Sequence, residues 1–233
     1  MRSVQTLYGE VWYWGKDEYV GRSLHNYGEF SGVECEKILS LATPGRLCLD
    51  IGANIGFISL MLTYHGHSVV AFEPQPEVFN LLRKNAPTAV AHCCALGSVA
   101  ARSIMPRVRY GSRGNYGGMS VGTSSELGAI SVDVATLDSF GFSNVGLIKL
   151  DVEGFEENVL RGGLETIARS RPVMYIEDDR VQKSASLRAY IRSLGYSIEE
   201  HHPPLYREEN YSGLKRNIWD KNYVSHNLIC KPC

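Results

Sequence analysis

The stretch Leu47-Cys48-Leu49-Asp50-Ile51-Gly52-Ala53-Asn54-Ile55-Gly56-Phe57 decides the fold. A short apolar run ends in a carboxylate, turns through two glycines, and opens into the helical pattern Phe57-Ile58-Ser59-Leu60-Met61-Leu62. Strand, glycine turn and helix, in that order, build the nucleotide site of an open α/β sheet. Glycine suits such a turn because it reaches backbone angles other residues avoid and lets a ligand lie against the main chain. A dinucleotide loop requires G-x-G-x-x-G, but Asn54 stands at the second glycine and Phe57 at the third. A phosphate-cradling loop requires Gly-Lys-Ser/Thr, and this turn carries no lysine. A diphosphate is thus a poor fit, and Asp50 ahead of the turn repels phosphate and welcomes an ammonium group.

The neighbouring apolar run, 68–73, also ends in a carboxylate, Glu73, 23 residues after Asp50. An acid about 20 residues on, at the tip of the adjacent strand, can accept hydrogen bonds from both ribose hydroxyls. A ligand with a ribose and an ammonium but no diphosphate describes S-adenosylmethionine (SAM). The plainer alternative is that Asp50 and Glu73 only cap helices or turns.

Outward from these two strands, segments of β and α pattern alternate. Residues 1–31 form an N-terminal extension whose aromatic and polar residues alternate as in a β-ribbon. A helix is predicted over 33–41, stopped by Thr43-Pro44-Gly45, and another over 77–85 behind Pro74 and Pro76. Further strands are predicted over 89–94, 130–137, 145–151, 172–177, 196–200 and 223–230, with helices over 154–168 and 183–194. Residues 98–128, rich in Gly, Ser and Arg, form a variable insertion over the site. This order gives a doubly wound, mainly parallel α/β fold with helices on both faces of the sheet. No Pro/Gly/Ser linker interrupts it, so residues 1–233 are expected to form one domain.

The formal net charge of −1 gives no sign of a nucleic-acid partner or an anionic membrane. The N-terminus lacks the apolar core of a signal peptide, and the apolar region 47–62 is too short and too polar to span a bilayer. The expectation is a cytoplasmic protein, with its six cysteines as free thiols. Cys230-Lys231-Pro232-Cys233 is a C-x-x-C with no second pair to complete a zinc site.

Several short motifs carry a resemblance. Asp50-x-Gly52-Ala53-Asn54-x-Gly56, Phe72-Glu73-Pro74, Ala95-Leu96-Gly97, Thr136-Leu137-Asp138, Lys149-Leu150-Asp151-Val152-Glu153-Gly154 and Val159-Leu160-Arg161-Gly162-Gly163 resemble the successive motifs of FkbM-type methyltransferases, over about residues 27–230. The resemblance implies a Rossmann-like, seven-stranded sheet whose last strand is antiparallel, and SAM-dependent transfer, generally to oxygen. The acceptor would be a hydroxyl of a small molecule, sugar or glycan. It places Glu73 and Pro74 at the ribose, Ala95 and Leu96 beside the adenine, and Gly52, Ala53, Asn54, Gly56 and Phe57 beside the methionine portion. Glu29, Asp50 and Asp151 complete the expected cofactor set.

Methyl transfer from a sulfonium is an in-line displacement in which the acceptor must be aligned and lose a proton. Asp151, Glu177 and His201 are the candidates for that work, with His202 and His226 as further acid–base groups. Asp151 could instead cap the following helix. Lys149, inside a strand suited to burial, needs a carboxylate partner such as Glu153 unless its stem carries the ammonium out to water. Asp151, Glu177 and Asp178 also resemble the Mg²⁺ ligands of the catechol-type methyltransferases, which keeps a metal-dependent mechanism open. The same fold could also serve a nicotinamide-dependent oxidoreductase or a non-catalytic binding module.

Overall fold

The computed structural model describes residues 1–220 and 223–233. An N-terminal hairpin, β1 (Arg2–Thr6) and β2 (Gly9–Tyr13), precedes helices α1 (Val20–Tyr27) and α2 (Gly32–Leu41). Strand–helix units follow: β3 (Leu47–Ile51), α3 (Phe57–Tyr64), β4 (Val69–Phe72), α4 (Pro76–Asn85) and β5 (Val90–His92). A side sheet of β6 (Ala95–Leu96), β7 (Ala101–Pro106) and β8 (Ala129–Ala135) comes next. The chain then re-enters the main sheet with β9 (Val145–Leu150), helices α5 (Glu156–Arg161) and α6 (Leu164–Ser170), and β10 (Val173–Glu177). Helix α7 (Val181–Ser193) and strands β11 (Tyr196–His201) and β12 (Asn227–Pro232) complete the fold.

The main sheet has seven strands in the order β11-β12-β10-β9-β3-β4-β5. Pairing is parallel from β10 to β5, and β12 runs antiparallel to both of its neighbours. Its late insertion between β10 and β11 is the antiparallel last strand that the motifs imply. The chain winds outward from β3 through β4 to β5, then returns to β9 on the other side of β3. That reversal opens a crevice at the carboxyl ends of β3 and β9, where such sheets bind ligands.

Both faces of the sheet are covered, so its strands are apolar on both sides. Leu49, Phe72, Ile148 and Leu150 belong to one core cluster, and Cys48, Val69, Leu147 and Tyr175 to the other. No helix among the described residues is long and apolar enough to cross a membrane. All six cysteines are free thiols.

Three expectations change. The first thirty residues hold not only the β-ribbon but also α1, which starts where Asp17 accepts hydrogen bonds from the N–H groups of Tyr19 (3.0 Å) and Gly21 (3.2 Å). The strand predicted over 89–94 divides, because β5 pairs in the main sheet while Ala95 and Leu96 pair with Val134 and Ala135 in the side sheet. The single helix predicted over 154–168 is two. A Cβ on Gly162 would lie 2.0 Å from the Gly97 carbonyl oxygen, so this glycine permits a close approach between loops. The Asp138 carboxylate then accepts from the N–H groups of Glu165 and Thr166, capping α6 as a new helix.

Candidate functional site

A cavity of about 350 Å³ lies at the crevice between β3 and β9. The glycine turn forms one wall. Gly52 and Gly56 have φ of +77° and +86°, and Asn54, the non-glycine residue at the heart of the turn, has +51°. The closeness that demands glycine here is internal to the protein. A Cβ on Gly52 would stand 1.7 Å from the Asp151 carbonyl oxygen, and one on Gly56 would meet Leu82 Cδ1 at 2.6 Å. The β3 turn is therefore pressed against the loop after β9 and against α4.

Glu73 continues that wall. Its two carboxylate oxygens accept hydrogen bonds from the backbone N–H groups of Asn54 (3.1 Å) and Gln75 (2.9 Å). Burial pushes its carboxyl up to about 7 despite those two donors. Gly52, Ala53, Asn54, Phe57, Glu73, Pro74, Ala95 and Leu96, all singled out from the sequence, line the cavity together with Asp151 and Glu177.

The structure does not bring Asp50, Gly56, Glu29 or His201 to the lining. Asp50 is fully buried: its Oδ2 accepts from Ser59 Oγ at 2.6 Å, and its Oδ1 stands 3.5 Å from Lys149 Nζ. Gly56 sits one layer behind, against α4. Glu29 accepts from Arg207 Nε (2.7 Å) and Nη2 (2.9 Å) and from the Tyr211 N–H, in a separate recess. His201 Nδ1 is 2.8 Å from the Tyr175 hydroxyl, away from the cavity wall. His202 pairs with Glu200 and stands 3.1 Å from His226.

Lys149 takes the central position. Register sets it directly across from Asp50 on β3 and Tyr175 on β10, on one face of the sheet. Its Nζ donates to the Gly52 carbonyl oxygen at 2.9 Å and lies 3.3 Å from Asp151 Oδ2. Its partners are thus Asp50 and Asp151, not Glu153. Burial opposes its charge, yet Asp151, Asp50 and Glu34 together hold its pKa above the ordinary lysine value. Asp151 accepts no hydrogen bond from the N–H groups that open α5; the Glu156 carboxylate ties the loop ahead of that helix, accepting from the N–H groups of Val152 and Gly154.

Around Asp151 the acids crowd. Carboxylate oxygens of Asp151, Glu153 and Glu177 come within 4.8 Å of one another. Glu153, with φ +58°, pairs with Arg180, which also donates to Asp179 at 3.0 Å. Burial and the nearby Asp151 charge push Glu153 up to about 8. Burial, then Asp151 and Glu153, hold Glu177 well above the usual carboxylate range. Glu34 of α2, buried on the same wall with Ser31 Oγ as its donor, rises by burial to about 7.

Asp178 needs correction as a Mg²⁺ ligand. Successive residues of a strand point to opposite faces, and Asp178 turns away from Glu177. Its carboxylate accepts from Arg188 Nε at 2.7 Å and Ser184 Oγ at 2.8 Å. The trio that does converge differs from that ligand set, and two of its members already face Lys149 and Arg180.

Sequence reading leaves several lining residues unnamed, among them Tyr19, Glu34, Arg180 and Asn227. From the insertion over the site, Asn115, Gly117 and Met119 reach the cavity.

A seven-stranded sheet with one antiparallel strand, and a cavity at its topological switch point, define a Rossmann-like domain of the methyltransferase type. Residues 50–198, well over half of the chain, match the methyltransferase FkbM domain, and the chain belongs to that family. Methyltransferase 1 of Beauveria bassiana (strain ARSEF 2860) is 30% identical over 141 residues, 49% of this chain and 57% of that protein. The structure of a methyltransferase FkbM from Methylobacillus flagellatus KT superposes with a TM-score of 0.54 at 18% identity, covering 84% of this chain and 50% of that one. This chain thus spans about half the length of these two relatives. Magnesium protoporphyrin IX methyltransferase of Synechocystis PCC 6803, solved with bound SAM, gives 0.54 at 12% identity, over 94% of this chain and 86% of its own. At these identities the two structures share the fold.

Proposed function

We propose that this chain transfers the methyl group of SAM to a hydroxyl of a small molecule, sugar or glycan. One observation carries the reading. Glu73, Glu34, Glu153 and Glu177 line a single cavity and all have raised pKa values, because burial disfavours their charges, with the nearby Asp151 charge adding to it at Glu34, Glu153 and Glu177. A cation entering such a cavity is stabilised by the carboxylates that ionise beside it, so the cavity favours a cationic ligand. Glu73, already fixed by two backbone donors, keeps lone pairs for the two hydroxyls of a ribose.

The residues fit SAM by charge and by place. Glu73 and Pro74 would hold the ribose, Ala95 and Leu96 flank the adenine, and the Gly52–Asn54 turn and Asp151 receive the methionine portion. SAM supplies an activated methyl group on a positive sulfur. The chain supplies position, exclusion of water and a proton acceptor. A cation entering the cavity lowers the carboxyl pKa values, so that Glu177 or Asp151 ionises and can take the acceptor's proton.

Mg²⁺ is not needed for this reading. Lys149 and Arg180 already set fixed positive charge against Asp151 and Glu153. Turnover indifferent to EDTA is the expected result, and loss restored by Mg²⁺ would bring the metal back. Calorimetric titration tests the main proposal. S-adenosylhomocysteine, which keeps the ammonium group, should bind with a net release of protons, read from buffers of different ionisation enthalpy. Tight binding of NADH without binding of S-adenosylhomocysteine would sink it.

A further inference from the structure

The register of β10 and β12 sets Glu177 directly opposite Asn227. Directly opposed side chains share a face of the sheet, with Cβ atoms about 5 Å apart. Both residues line the cavity. Asn227 is only 3% exposed, and its Nδ2 has no hydrogen-bond partner among the described residues. Glu177 Oε2 is likewise buried and accepts no hydrogen bond from an N–H or hydroxyl donor, and its carboxyl stands against that of Asp151. Leaving a buried polar atom unmatched costs about 1–3 kcal/mol, so two such atoms side by side on a cavity wall point to a ligand.

Their chemistry selects the ligand. An amide Nδ2 only donates, and an ionised carboxylate only accepts. An ammonium would satisfy Glu177 but set three donors against Nδ2. A carboxylate or phosphate would satisfy Nδ2 but meet Glu177, Asp151 and Glu153. A hydroxyl is neutral, donates once and accepts, and so matches both. Tyr19 and Tyr223, with ring centroids 6.0 Å apart, line the same cavity and add aromatic surface to it.

We propose that Asn227 and Glu177 form a clasp for the acceptor hydroxyl of a neutral polyol. This rests on the methyl-transfer reading above. Nδ2 donates to the hydroxyl oxygen, and the hydroxyl donates to the Glu177 carboxylate. One oxygen lone pair takes the amide hydrogen bond and the other remains for attack. As the new O–CH₃ bond forms, the S–CH₃ bond breaks and its electron pair stays on sulfur. The hydroxyl proton passes to Glu177, with Asp151 beside it.

Saturation-transfer NMR with methyl glucoside and putrescine as probes, and water-proton relaxation with Mn²⁺, each with and without S-adenosylhomocysteine, test the clasp. Methyl glucoside should bind in the millimolar range, with putrescine about tenfold weaker. Asn227→Leu and the near-isosteric Asn227→Asp should both weaken methyl glucoside about tenfold, the loss of one buried hydrogen bond. Asn227→Leu should not lower the melting temperature, because the amide nitrogen bonds to nothing in the described protein; a purely structural role would lower it. Unchanged glucoside affinity in both variants overturns the clasp. So does no glucoside binding to the wild type, or preferential binding of putrescine or Mn²⁺. Failure of S-adenosylhomocysteine to bind removes the methyl-transfer reading alone, since glucoside binding without it still judges the clasp.

Discussion

At the β3–β4 rim of the cavity, both carboxylate oxygens of Glu73 are already held, by the N–H groups of Asn54 and Gln75. Behind that lining the buried Asp50 accepts from Ser59 through Oδ2, while its Oδ1 faces Lys149 without a hydrogen bond. Across the cavity, at the β9–β10–β12 rim, Glu177 Oε2 and Asn227 Nδ2 are unpartnered, and Glu177 crowds Asp151 and Glu153. The first rim is rigid before any ligand arrives. The second is left electrostatically incomplete, which costs the ligand-free fold stability and leaves groups free to engage substrate.

The sharpest way to break the comparison is to cut the residue that joins the two rims. Lys149→Met leaves Asp50 and Asp151 without their shared cation. It should cost about 3–5 kcal/mol, the usual penalty for stripping one partner from a buried pair, read as a fall in the urea midpoint. A variant as stable as the parent would mean the rims do not depend on one another.

Glu73→Ala tests the finished rim. It should weaken S-adenosylhomocysteine about 100-fold by calorimetry, the loss of two hydrogen bonds to a charged group, or about 2.7 kcal/mol. Unchanged affinity would remove the ribose assignment.

The buried carboxyls of both rims should be visible in the pH dependence of stability. Glu34 and Glu73 titrate at about 7 and Glu153 at about 8 in the folded chain, above their unfolded values. The native state therefore holds protons that the unfolded chain has lost, and stability present at low pH falls as pH rises through 7 and 8. The ligand-free protein should melt about 5 °C lower at pH 8.5 than at pH 6, and Glu177→Gln should reduce that difference. A melting temperature that rises over this range would contradict the charge crowding.

The smallest effect is expected at His201, whose ring is engaged by Tyr175 outside the cavity. His201→Asn should leave turnover in a labelled-SAM acceptor screen within about twofold. A loss of 100-fold would restore it as a general base.

The two rims also differ in how far they can be read from sequence. Asp50, Gly52, Asn54 and Glu73 fall within one strand–helix–strand unit, where local spacing sets spatial proximity. Even there, spacing does not separate Asp50, a buried support for Ser59 and Lys149, from residues that touch the cavity. The second rim gathers Asp151, Glu177 and Asn227 from three strands, and only the sheet register unites them. Asn227 carries no local signal. For Asp178 a signal exists, since period-two alternation sets it opposite Glu177. Glu29 fails as a cavity residue because its partner, Arg207, is distant in sequence. The motifs shared with the family turn out to be partly architecture: Asp138 caps α6 and Gly162 admits Gly97.

The placement of β12 has a consequence for the order in which the protein can be made. Synthesis delivers β3, β4, β9 and β10 first, and these can pair as parallel strands while the chain still emerges. β11 follows, but it is hydrogen-bonded only to β12 in the finished sheet. Until residues 227–232 arrive, β10 has an open edge and Glu177 has no neighbour opposite it. A nascent chain can therefore complete the glycine turn and the Glu73 wall well before Glu177 meets Asn227.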